Sequence, residues 1–135
     1  MTRSLRNLGL AVKRLQVQHH RAANEALDDL GLTIVQWDAL RHLHENPGAS
    51  LHELAVLTFQ TDQSFGALAA RMEAAGLIER VAGPGRAIRP ALTAKGEELR
   101  EQGGRRLDRV LERSFGPLSD AETEQLEGLL TRLLA

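Results

Sequence analysis

Apolar residues recur at three- and four-residue steps along most of this chain, the spacing of one helix face. Leu5, Leu8, Val12 and Leu15, then Ala23, Ala26, Leu27 and Leu30, predict one long amphipathic helix over residues 4–30, with Gly31 as its C-cap. At 1.5 Å per residue it is roughly 40 Å long, longer than a chain of 135 residues needs for its own core. Thr33, with Gln36 three residues on, starts a second helix that turns Ile34, Trp37, Leu40 and Leu43 inward, and Asn46-Pro47-Gly48 ends it. Ser50 and Glu53 form a capping box for a short third helix reaching about Phe59, with Leu51, Leu54, Ala55 and Leu57 inward. A fourth helix from Thr61 to Ala75 faces Phe65, Leu68, Ala69 and Met72 to the core.

After Gly76 the pattern becomes extended. Leu77–Val81 and a return ending at Leu92-Thr93 are joined by a turn at Gly83-Pro84-Gly85-Arg86. Residues 94–114 form a fifth helix with Gly103-Gly104 at its middle, where each glycine costs about 1 kcal/mol relative to alanine and a bend or hinge is expected. Gly116-Pro117 breaks the chain. Ser119 and Glu122 cap a last helix striped with Leu126, Leu129, Leu130, Leu133 and Leu134. Helix, turn, helix and two-stranded wing is the order of a winged helix-turn-helix, which places one helix in the DNA major groove. The expected fold is mainly α with a small β-wing, in one domain. Residues 32–93 form the winged lobe, and 1–31 with 94–135 form a helical dimerisation region, because one small chain has too little surface to cover the outer leucine faces.

Composition narrows the function. With no cysteine, disulfides, thiolate metal sites and thiol redox sensing are excluded. No apolar run approaches the roughly 18 residues of a membrane span, and no secretory h-region follows Arg3 and Arg6, so the cytoplasm is the default location. The net charge of -1 says little, but its distribution says more. Arg3, Arg6, Lys13, Arg14 and Arg21 occur before any acid, and Arg80, Arg86 and Arg89 gather at the wing, whereas Asp120, Glu122, Glu124 and Glu127 make the last helix acidic. The pairs His19-His20 and His42/His44 diverge on their helices and give no i, i+4 metal chelate. Gly83-Pro84-Gly85 is a turn rather than a phosphate cradle. Neither an enzyme site nor a cofactor site emerges.

The ordered phrases Leu32-Thr33-Ile34-Val35-Gln36-Trp37-Asp38-Ala39-Leu40, Leu51-His52-Glu53-Leu54-Ala55, Leu68 through Arg80, Arg86 ahead of Leu92-Thr93-Ala94-Lys95-Gly96, and Leu118-Ser119-Asp120-Ala121-Glu122 with its leucine stripe span nearly the whole chain. Together they resemble the multiple-antibiotic-resistance regulator (MarR) family. The resemblance implies a homodimer of winged lobes on double-stranded DNA with a palindromic operator, a repressor of transcription, and release by a small aromatic or phenolic ligand. It also implies that the first, fifth and sixth helices pair the protomers, that the fourth enters the major groove, and that a wing-tip arginine enters the minor groove.

Carried onto this chain, the DNA-facing candidates are Thr61 as N-cap, Asp62, Gln63 and Ser64 in the first turn, Ala67 and Arg71 further along, and Arg86 and Arg89 in the wing. Helix N-termini suit phosphates, Gln63 suits an adenine edge, and Ser64 suits base or phosphate. The chain departs from the family at Ala67, where a basic residue is frequent, at Gly66, and at Pro84, where an acid usually precedes the wing arginine. Arg14, His20, Trp37 and Arg41 are the candidates for a ligand cleft, an aromatic plate beside cations. With so few cations on the fourth helix, a helical protein-interaction module of the same fold is the alternative.

Overall fold

The structure, a computed structural model, describes residues 4–83, 85 and 88–135. Six helices and a two-stranded sheet follow in the expected order: α1 (Leu5–Leu27), a 3-10 turn at Asp28–Leu30, α2 (Ile34–Glu45), α3 (Leu51–Leu57), α4 (Asp62–Ala74), β1 (Ile78–Ala82), β2 (Ile88–Leu92), α5 (Ala94–Phe115) and α6 (Asp120–Leu134). The local signals form as the sequence predicts. Thr33, Ser50 and Ser119 all close reciprocal capping boxes with Gln36, Glu53 and Glu122, and Gly31 takes the left-handed conformation that caps α1 and its 3-10 extension. Asn24 joins α1 to α2, since its side-chain oxygen accepts the otherwise orphaned N–H of Ile34 at 2.8 Å.

Leu27 of α1, Leu40 of α2, Leu54 of α3, and Phe65 and Met72 of α4 are the largest fully buried side chains. They hold α2–α4 as one lobe beneath the lower half of α1 and against α5. The wing is an antiparallel ribbon in which Ile78 pairs with Leu92 and Ala82 with Ile88. Its base is fixed to α5, because the Thr93 N–H donates to the Leu77 carbonyl at 3.1 Å and the Thr93 hydroxyl to the Gly76 carbonyl at 2.6 Å.

Two expectations change. Leu57 does not face inward; it is 38% exposed near the end of a helix too short for a second apolar turn. Gly103-Gly104 does not interrupt α5, which runs unbroken from Ala94 to Phe115. A Cβ on Gly103 would lie 2.6 Å from Trp37 Cδ1 and 3.1 Å from Leu27 Cδ2. The glycine is there to let α5 approach the indole closely, and the helix accepts the loss of propensity. The Trp37 Nε1–H donates to the Arg100 carbonyl at 2.9 Å and completes that seam.

The outer helices keep their apolar faces open. Leu5 is 78% exposed, Leu133 77% and Leu134 84%, with Leu8, Val12 and Leu129 also exposed.

Candidate nucleic-acid interface

The second helix-turn-helix element, α4, owes its exposed face to the same period that buries Phe65, Leu68, Ala69 and Met72. Thr61 caps it by accepting the Ser64 N–H at 3.0 Å. Thr61, Asp62, Gln63, Ser64, Ala67 and Arg71 are all exposed, on the side away from that core. The acid at its tip has a partner, since His52 of α3 lies with Nδ1 2.8 Å from Asp62 Oδ1. No local sequence signal joins those two residues, which are ten positions apart; the crossing of α3 and α4 brings them together. The Ser64 hydroxyl is engaged with Gln60, whose amide also reaches Thr58, so the turn before α4 is internally fastened.

In the wing, the arginines act differently from one another. Arg80 is tied to Glu73 of α4 at 2.7 Å. Arg89 packs over Gly83, reaches Glu53 of α3 at 3.5 Å, and leaves its Nε buried without a partner. That places Arg89 as a brace between wing and lobe; a phosphate contact would have to displace the Glu53 pair. Arg86, the wing-tip candidate, lies outside the described residues.

The ligand candidates separate as well. Trp37 and His20 line one cavity of about 340 Å3 together with Gln16, Ala23, Leu107 and Asp108, between α1, α2 and α5. Arg14 is exposed and Arg41 is elsewhere: neither lines that cavity. Arg41 stacks 5.9 Å over the outer face of the Trp37 ring and bonds to Asp38 at 2.8 Å and to Glu45. The cation expected to hold a carboxylate is thus already paired with two. Sequence reasoning missed Gln16, Leu107 and Asp108, which only the packing of α5 on α1 brings to Trp37. A larger groove of about 640 Å3 runs from His20 and Asn24 past Gln36 to Ser64 and Arg71, along the flank of α4. No cluster of three or more histidine or acid side chains among the described residues is placed to hold a metal ion. None of the described helices is long and apolar enough to cross a membrane.

A profile of the MarR family matches residues 30–87, the winged lobe up to the wing tip. An HTH-type transcriptional repressor of Mycobacterium tuberculosis is 34% identical over 94 residues, covering 68% of this chain and 68% of the relative. The chain belongs to the MarR family. Two solved structures of an M. tuberculosis MarR family protein extend the likeness over almost the full length. One, in complex with DNA, has a TM-score of 0.80 at 26% identity and covers 95% of this chain and 98% of that one. The other, in complex with p-aminosalicylic acid, has a TM-score of 0.79 at 27% identity with the same coverage. The MarR fold accounts for the element order, including the long α1 and the closing α6.

Proposed function

We propose that this chain is a DNA-binding transcriptional repressor that works as a homodimer on a palindromic operator and leaves it when a small aromatic acid binds. The observation that carries the reading is the exposed first turn of α4, Thr61 to Ser64, presented by a rigid winged lobe in a family with a relative solved on DNA. Residues 32–93 read DNA; residues 1–31 and 94–135 pair the protomers, their open leucine faces meeting across the dimer and setting the two α4 helices about 34 Å apart, one turn of the duplex. The ligand seat is the cavity under Trp37, whose apolar ring and polar neighbours His20 and Asp108 suit a flat, hydrogen-bonding molecule. The protein acts by binding rather than catalysis, and it works in the cytoplasm.

One observation favours the second reading, a protein-interaction module: α4 offers the acid Asp62 and uncharged Gly66 and Ala67 before its first cation, Arg71. Selection from a pool of random duplexes at two salt concentrations separates the two. Enrichment of a palindrome, bound by dimers with steeply salt-dependent affinity, is the expected result. Absence of any enriched site at either salt would rule out the repressor and leave the interaction module.

A further inference from the structure

Phe59 stands in the turn between α3 and α4 with φ 58, and among the described residues it is the one non-glycine residue in the left-handed region. Its backbone is held there. The Gln60 N–H donates to the Ala55 carbonyl at 2.9 Å and the Phe59 N–H to the Val56 carbonyl at 3.2 Å, the paired bonds of a Schellman helix end. Thr58 adds hydroxyl bonds back to Leu54 and Ala55, and Gln60 bridges Thr58 and Ser64. At this position glycine is the unstrained residue, and a bulky side chain is the costly one. The ring gets nothing back from the fold, being 98% exposed. Two costs are therefore carried at one residue, and glycine would remove both.

The ring is not isolated. Val56, three residues earlier and still within α3, is 61% exposed, and Thr61, the N-cap of α4, follows two residues later. Phe59 therefore stands beside the first turn of α4, proposed to read DNA, where Asp62 meets His52 of α3. The apolar faces that a second copy would cover lie on α1 and α6, outside this lobe.

We propose, resting on the repressor reading, that Phe59 is a DNA-contact residue: its ring packs on the deoxyribose and thymine-methyl surface of the groove wall beside the first turn of α4. Thymine methyls and sugars are the apolar parts of a duplex that a side chain reaches from the major groove. A ring on a rigidly held backbone has only its two side-chain torsions to fix on contact, beside a helix poor in cations.

The test uses the full chain and the duplex that the wild-type protein selects from a random pool, with Phe59→Gly and Phe59→Leu compared at several salt concentrations. Phe59→Gly is expected to melt no lower than wild type and to lose about tenfold in affinity. Phe59→Leu keeps most of the affinity, and the slope of log affinity against log salt stays the same in all three, since no charge is removed. A Phe59→Gly protein that binds the duplex as tightly as wild type overturns the proposal and leaves the repressor reading standing. If that variant instead loses self-association at unchanged DNA affinity, the ring belongs to a second copy and the proposal also fails. A variant that both melts lower and binds weaker assigns the ring to the fold and likewise overturns it. A wild-type protein that selects no duplex sinks both readings together.

Discussion

Replacing Gly96 by alanine should destabilise the chain although it improves the helix. Gly96 is buried in the first turn of α5, where a Cβ would stand 2.0 Å from the Leu77 carbonyl oxygen and 3.0 Å from its carbon. An ordinary carbon–oxygen approach is about 3.3 Å, so the overlap exceeds an ångström. No rotamer change can relieve it, because the obstacle is backbone. Leu77 is itself pinned by its N–H to Met72 and by its carbonyl, which accepts the Thr93 N–H. The start of α5 must lift off the wing base. Overpacking at such a place costs about 3 kcal/mol, and the gain in helix propensity returns about 1 kcal/mol, so the net loss is about 2 kcal/mol. With an unfolding entropy near 2.1 cal/mol/K per residue, that lowers the Tm of a chain this size by about 7 °C. Gly66→Ala in α4, where a Cβ meets nothing within 4 Å, is the control and should raise Tm by about 3 °C. Both are read by thermal unfolding at one fixed protein concentration, since a dimer's Tm depends on it. A Gly96→Ala protein melting at or above wild type would refute the close-approach argument.

The other expectations are as direct. Asp62→Asn removes a carboxylate from the exposed end of α4 proposed to read DNA and should tighten operator binding several-fold at low salt, with the gain shrinking as salt rises; weaker binding at low salt would contradict it. Trp37 is the single tryptophan, so salicylate entering the cavity should change the intrinsic fluorescence saturably and lower operator affinity over the same range; a flat titration would remove the cavity from consideration. The carboxyls of Asp29, Glu53 and Glu97 are held below their ordinary values, chiefly by hydrogen bonds from Arg106, Ser50 and Arg100 respectively. Because the folded chain binds those protons less readily than the unfolded one, their contribution is complete above about pH 5 and is lost as pH falls through the unfolded and then the lower folded values. Glu97→Gln should accordingly flatten the decline of Tm below about pH 5, and an unchanged acid limb would count against this account.

What could be read ahead of the structure was whatever is written in short-range spacing. The capping boxes at Thr33, Ser50 and Ser119, the glycine at position 31 and the buried face of α4 each depend on residues within one or two turns, and each formed. Contacts between distant segments were not legible. Gly103 reads as a helix weakener until Trp37, sixty-six positions earlier, is seen against it. Arg41 is different, because Asp38 and Glu45, which hold it, stand three and four positions away on the same helix, a pairing the spacing already offered. Arg89 reads as a surface charge until Glu53 and Gly83 are found around it. The cavity joins Gln16 to Leu107 and Asp108, separated by most of the chain.

The open leucine faces of α1 and α6 have a consequence for dosage. In the proposed homodimer, those faces make pairing the condition for a complete structure, and a palindrome is occupied only by the pair. Where the total concentration lies below the dissociation constant of the dimer, mass action makes the dimer rise as the square of the amount of chain. Halving the supply then leaves about a quarter of the active species, so the promoter would answer to changes in copy number more steeply than in proportion, with no cooperativity required on the DNA.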